Sequence, residues 1–152
     1  MASAQIIKEK LHMKFLDKIR RFSLKKAGYI SLAVATFMII LHILIIAGIF
    51  PYSWVNGGRS ESFDAARSTS FSSIIVILFG VVLKLFAADI VPVKLNRFFG
   101  VLITILLIIS LPFEFIGIVQ QLLGTLFEKC VCSILAVIAF LADFRITVEK
   151  RW

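Results

Sequence analysis

Tyr29–Phe50 runs for 22 residues without a single charge. A stretch of that length matches the roughly 20 residues a helix needs to cross a hydrocarbon core. Three further apolar segments follow: Phe71–Ala88, broken only by Lys84; Phe98–Val119, carrying Pro112 and Glu114; and Leu122–Ala142, carrying Glu128 and Lys129 in its first half. Four such segments in a chain of 152 residues, 60% of them hydrophobic, leave too little polar surface to cover a water-soluble globule. The pattern predicts an all-α integral membrane four-helix bundle, with spans at about 29–50, 71–88, 98–119 and 122–142. Pro112 is expected to kink the third span.

The net charge of +8 is unevenly placed. Eight of the 17 Lys and Arg residues fall within the first 26 positions, directly ahead of the first apolar run. Charge in that position sets membrane topology and attracts anionic lipid, and it gives no reason to expect nucleic acid as a partner. The first run is too long for the core of a cleaved signal peptide and reads as a retained helix. Lys94 and Arg97 in the second connection, and Arg145, Lys150 and Arg151 at the end of the chain, fall on the same side as the basic head. The opposite side holds Arg59 and Arg67. Such a bias predicts a multi-pass protein of the cell membrane with both termini cytoplasmic.

Three regions follow: a basic amphipathic head at 1–27, a four-span domain at 28–145 and a cytoplasmic tail at 146–152. In the head, Ile7, Leu11, Phe15, Ile19 and Phe22 share one helical side, and Lys18 interrupts that stripe. One reading is an interfacial helix lying on the cytoplasmic leaflet, with Lys14, Lys18, Arg20, Arg21, Lys25 and Lys26 on anionic lipid. The other is a solvated basic head that only sets topology. Ala33, Ala35, Gly48, Gly80 and Gly117 are expected to allow close helix approach.

Ionisable groups inside apolar runs need a partner, a path to water or a function. Lys84 can snorkel to the nearer headgroups along its own stem. Glu114, Glu128 and Lys129 lie toward the outer ends of their spans, near the loop that bears Arg59. Antiparallel neighbours would gather Arg59, Glu114, Glu128 and Lys129 into an outer polar cluster, either as an ion-pair network pinning the loop or as a ligand site. His42, in the middle of the first span, could titrate or hydrogen-bond a neighbouring helix. Two histidines, and Cys130 and Cys132 two positions apart on a helix, assemble no metal site. No nucleophile elbow, phosphate-binding glycine loop or HExxH motif is present, and no cofactor is implied.

Pro51-Tyr52-Ser53-Trp54-Val55-Asn56-Gly57-Gly58-Arg59, with Gly124-Thr125-Leu126-Phe127-Glu128-Lys129 later in the chain, resembles small four-span bacterial membrane proteins of unknown function. Those share a PYxxVxGGR-type loop and a later glycine-to-FEK stretch. The spacing before FEK is shorter here and the basic head is longer. The resemblance implies a four-helix bundle, directs attention to Arg59, Glu128 and Lys129, and implies no activity.

The leading functional expectation is a non-enzymatic accessory protein, bacteriocin immunity being one version, that binds a membrane protein, lipid or peptide through its outer loop. A small oligomeric transporter or channel is the second, with Glu114, Glu128 and His42 lining its path. A lipid-acting enzyme is the third, with Glu114 or Glu128 as general base and Arg59 on a phosphate.

Overall fold

A computed structural model describes residue 14 and residues 16–149. Over those residues the chain is helical, with no strand. The long helices are α1 (Leu24–Ile46), α2 (Phe63–Ala87), α3 (Arg97–Leu122) and α4 (Glu128–Thr147), each long and apolar enough to cross a membrane. The opening turn of α4, Glu128–Cys132, is π-helical, and the remainder, Ser133–Thr147, is α-helical. Residues 16–20 are helical too. Of the proposed amphipathic stripe, Ile7, Leu11 and Phe15 lie outside the described residues, as do Lys150, Arg151 and Trp152 of the tail.

Local side-chain chemistry sets the helix starts. The Ser23 hydroxyl accepts from the Lys26 amide at 3.4 Å, Ser62 from Ala65 at 3.2 Å and Asn96 from Phe99 at 2.9 Å. Consequently α2 begins two turns before Phe71, inside what composition marks as a loop. Its early polar residues satisfy themselves within the helix: Thr69, Ser72 and Ser73 donate to the carbonyls of Ala65, Ser68 and Thr69. Gln120 and Gln121 remain in α3, so the link between the last two helices is 123–125 rather than the two glutamines. The fourth helix starts with a capping box: Glu128 N–H donates to Thr125 Oγ1 at 3.3 Å, and Thr125 N–H donates back to the Glu128 carboxylate at 2.8 Å. Pro112 sits within the continuous α3.

Packing is uneven around the bundle. α1 lies against both α2 and α4, and α3 leans on α4, whereas α2 and α3 touch only sparsely. Two core clusters hold the ends together. One joins Ala27, Ala87, Ala88, Leu107, Ala142 and Ile146; the other joins Leu41, Ile45, Val55, Ala66 and Cys132. Close helix approach in the first cluster depends on Gly28, where an added Cβ would collide with Ala88 and Ile90. Gly80 and Gly117, expected at tight crossings, have nothing within 4 Å of their would-be Cβ positions.

Both chain ends meet at the first cluster through arginines. Arg20 donates Nε and Nη2 to the Val148 carbonyl at 3.0 and 2.9 Å. Arg145, itself buried, donates to the carbonyls of Phe22 at 2.7 Å and Arg20 at 3.0 Å and pairs with Glu149 at 2.6 Å. This end, with the 88–96 turn, is termed the tail end below; the opposite end, carrying residues 47–62, is the loop end.

Candidate functional site

Four separate helices contribute polar groups to the bundle interior at helical spacing. On α3, Leu107, Ser110, Glu114, Gly117 and Gln121 recur every three or four residues and so share a face. Gly80 and Lys84 do the same on α2, Ser31 and Ala35 on α1, and Cys132, Ala136, Ala139 and Asp143 on α4. All of these residues line one cavity of about 580 Å³. Leu107 of one core cluster and Cys132 of the other both line it, its walls are mostly aliphatic, and it is partly open. The opening follows from the sparse contact of α2 with α3 and from Gly80 and Gly117, whose missing side chains leave room on both helices.

An ion pair anchors the polar part of this cavity. Lys84 Nζ lies 2.6 Å from Asp143 Oδ2, and the Asp143 side chain is 1% exposed. Lys84 therefore turns inward to a buried carboxylate and does not snorkel. Glu114 approaches the same pair: its carboxyl lies within reach of Asp143 and accepts from Ser110 at 3.4 Å. Asp143 falls past the expected end of the fourth span, and sequence reasoning missed it. The signal that could have found it is the solitary, oppositely charged Lys84 near the same end of an adjacent helix.

Glu114 and Glu128 are thus not neighbours, contrary to the expected outer cluster. Side chains lean toward the N-terminus of their own helix. That lean carries Glu114 down α3 toward the tail end, while Glu128, in the first turn of the fourth helix, leans up into the loop. There Glu128 is buried and accepts from the Gly57 amide at 3.1 and 3.0 Å and from Thr125 N–H at 2.8 Å. Gly57 and Gly58 both have φ +68°, a backbone region that glycine enters without strain and that aims the amide at the carboxylate. Gly124 completes the arrangement, since a Cβ there would overlap the Glu128 carboxylate. Thr125 Oγ1 also donates to the Trp54 carbonyl. Phe50, Trp54 and Phe127 pack together over this staple, with Phe50 and Phe127 centroids 5.0 Å apart.

Arg59 and Lys129 are exposed and neither forms an ion pair among the described residues. The loop is pinned by the Gly57 amide on Glu128 and by Thr125 on the Trp54 carbonyl, and Arg59 takes no part. His42 is buried in α1, outside the cavity wall, and its Nδ1 has no hydrogen-bond partner. Among the basic residues of the head, Lys14, Lys18, Arg21, Lys25 and Lys26 are exposed, whereas Arg20 is half-buried against the end of α4. No group of three potential metal ligands occurs among the described residues.

The fold and site define an all-helical chain with four helices of membrane-spanning length around a partly open internal cavity. No family model, no curated protein and no solved structure matches the chain.

Proposed function

We propose that this chain is a non-enzymatic, multi-pass protein of the cell membrane that takes up an amphiphilic ligand from the surrounding bilayer. The reading rests on the cavity. Its volume falls within the range of about 300–1,000 Å³ usual for ligand sites, and such sites combine apolar walls with a few convergent polar groups. Two of its lining residues, Val76 on α2 and Phe113 on α3, are each 70% exposed, surfaces suited to lipid and not to water. A ligand dissolved in the bilayer would reach it between α2 and α3 without crossing an interface.

The excess of Lys and Arg at the tail end supports a cytoplasmic position for both termini, with the Gly57-Gly58 loop outside. Binding through the loop itself has less support, because its backbone is committed to Glu128 and its aromatic residues to one another. Lys14, Lys18, Arg21, Lys25 and Lys26 remain exposed and suit anionic lipid at the cytoplasmic leaflet.

The test is native mass spectrometry of protein extracted from its membranes in mild detergent, comparing wild type with Gly80→Leu, which fills the opening. Retained lipid that is lost in Gly80→Leu at unchanged melting temperature is the expected result. Equal lipid content in both proteins would place the lipid elsewhere and end the proposal.

One observation favours a second reading, a small transporter or channel: Ser110, Glu114 and Gln121 place polar groups at successive levels of α3 along the cavity. Ion flux into proteoliposomes that disappears in Glu114→Gln would select it over binding alone.

A further inference from the structure

Four buried polar atoms along the cavity wall have no hydrogen-bond partner: Ser31 Oγ, Glu114 Oε2, Gln121 Oε1 and Asp143 Oδ1. Buried polar atoms are nearly always satisfied in native proteins, so four such atoms around one cavity point to an absent partner. Their chemistry is one-sided. Three are acceptors only, and the fourth, a hydroxyl, can accept. Glu114 and Asp143 face each other, yet two carboxyl groups can bond only through a hydrogen placed between them. A proton on Glu114 can supply that hydrogen, whereas a ligand that leaves both carboxyls ionised must arrive with hydrogens of its own.

The charges add a second constraint. Glu114 and Asp143 stand against a single Lys84, so with both carboxyls ionised the group carries one negative charge in excess. An uncompensated charge in an apolar surrounding is costly, and either a proton taken up by a carboxyl or a cation removes the cost. Lys84 Nζ gives one of its three hydrogens to Asp143, leaving two for an acceptor on the ligand.

We infer that the ligand is a membrane lipid whose head bears a primary ammonium, its three N–H groups received by the unpartnered oxygens of Glu114 and Asp143 and by Ser31. The inference rests on the cavity reading above. A phosphate beside that ammonium, as in an ethanolamine phospholipid, faces the remaining hydrogens of Lys84. A choline head has the charge but no N–H donor, so it leaves the oxygens unsatisfied. A glycerol head has donors but no positive charge. The acyl chains lie in the gap left by Gly80 and Gly117 between α2 and α3, where the wall is aliphatic. Gln121 sits seven residues beyond Glu114 on the same face, about 10 Å along the helix, beyond the reach of the same ammonium.

The experiment is lipid titration of the full chain in mild detergent, read by native mass spectrometry, with dioleoyl phosphatidylethanolamine, its N-methyl and N,N-dimethyl derivatives, phosphatidylcholine and phosphatidylglycerol. The series removes one N–H at a time and keeps the charge. Affinity is expected to fall stepwise, by about tenfold or more from ethanolamine to choline, as three hydrogen bonds to charged groups disappear. Glu114→Gln should flatten the series, because its amide supplies a donor where the ligand's was needed, and Gly80→Leu should abolish binding of every lipid. Equal affinities along the series, all lost in Gly80→Leu, would overturn the ammonium while leaving the cavity intact as a lipid site. Preference for phosphatidylglycerol would overturn it as well. Binding unaffected by Gly80→Leu, or no binding, would overturn the cavity reading itself, and in the latter case water or a small cation satisfies the oxygens.

Discussion

Two buried carboxylate sites occupy this bundle, and they are treated in opposite ways. At the loop end, Glu128 receives two backbone amides, with both its oxygens engaged. In the cavity, Glu114 and Asp143 each keep one oxygen with no donor, although Asp143 is 1% exposed. A satisfied buried carboxylate holds structure together, since each amide it accepts is one fewer unpaired donor. In the cavity Lys84 holds one oxygen of Asp143, and only the remaining oxygens of Glu114 and Asp143 gain a donor when something else enters. The contrast separates a fastening from a site.

The comparison predicts that the two sites fail differently. Removing Asp143 strands Lys84 inside the bundle, and breaking a buried pair on one side destabilises by about 3–5 kcal/mol. Asp143→Leu should therefore show the largest fall in melting temperature in detergent, and Lys84→Met added to it should recover most of the loss. Failure of the double variant to recover would mean that Asp143 acts through contacts other than Lys84. Glu128→Ala comes next: it leaves the Gly57 and Thr125 amides without their acceptor, about 2–3 kcal/mol, and should free the 47–62 loop to protease while leaving lipid retention in the cavity unchanged. Loss of lipid along with the loop would merge the two sites that the structure keeps apart.

Glycines sharpen the contrast at a smaller scale. Gly28→Ala drives a methyl into Ala88 and Ile90 and should cost about 1–3 kcal/mol, the range for overpacking. Gly80→Ala meets open space and should stay within about 0.5 kcal/mol of wild type. Equal penalties would mean that α2 and α3 close on each other and that the lateral gap is not kept open.

These outcomes also mark what the sequence could disclose. Four apolar runs yield four helices, because length and a prevailing apolar character suffice for that inference. The helix ends were less legible: the Ser- and Thr-rich segment before Phe71 looks like a loop, but its hydroxyls bond back to the preceding turn and extend α2 to Phe63. The capping box Thr125-x-x-Glu128 was present in the sequence as the proper start of the fourth helix, whereas the Gln120-Gln121 pair drew attention by polarity alone. The cavity was beyond reach, since it arises from uneven packing between helices and not from any local pattern. Gly80 and Gly117, expected at helix contacts, make space instead, and the close approach falls at Gly28, outside that expectation.

Arg59 provides the smallest and most discriminating effect. Its place beside two glycines suggests an arginine held by carboxylates, and under that expectation its loss should destabilise the bundle and couple to Glu128. The structure instead leaves its guanidinium exposed without an ion pair, and the carboxylate is occupied by Gly57 and Thr125. Arg59→Ala should therefore shift stability by no more than about 0.5 kcal/mol, as for other surface positions. Combined with Glu128→Gln, the two changes should add within about 0.3–0.5 kcal/mol, as independent sites do. A double-mutant cycle in detergent checks this directly: coupling beyond that range would show Arg59 reaching Glu128 and would make the loop-end staple an ion pair after all.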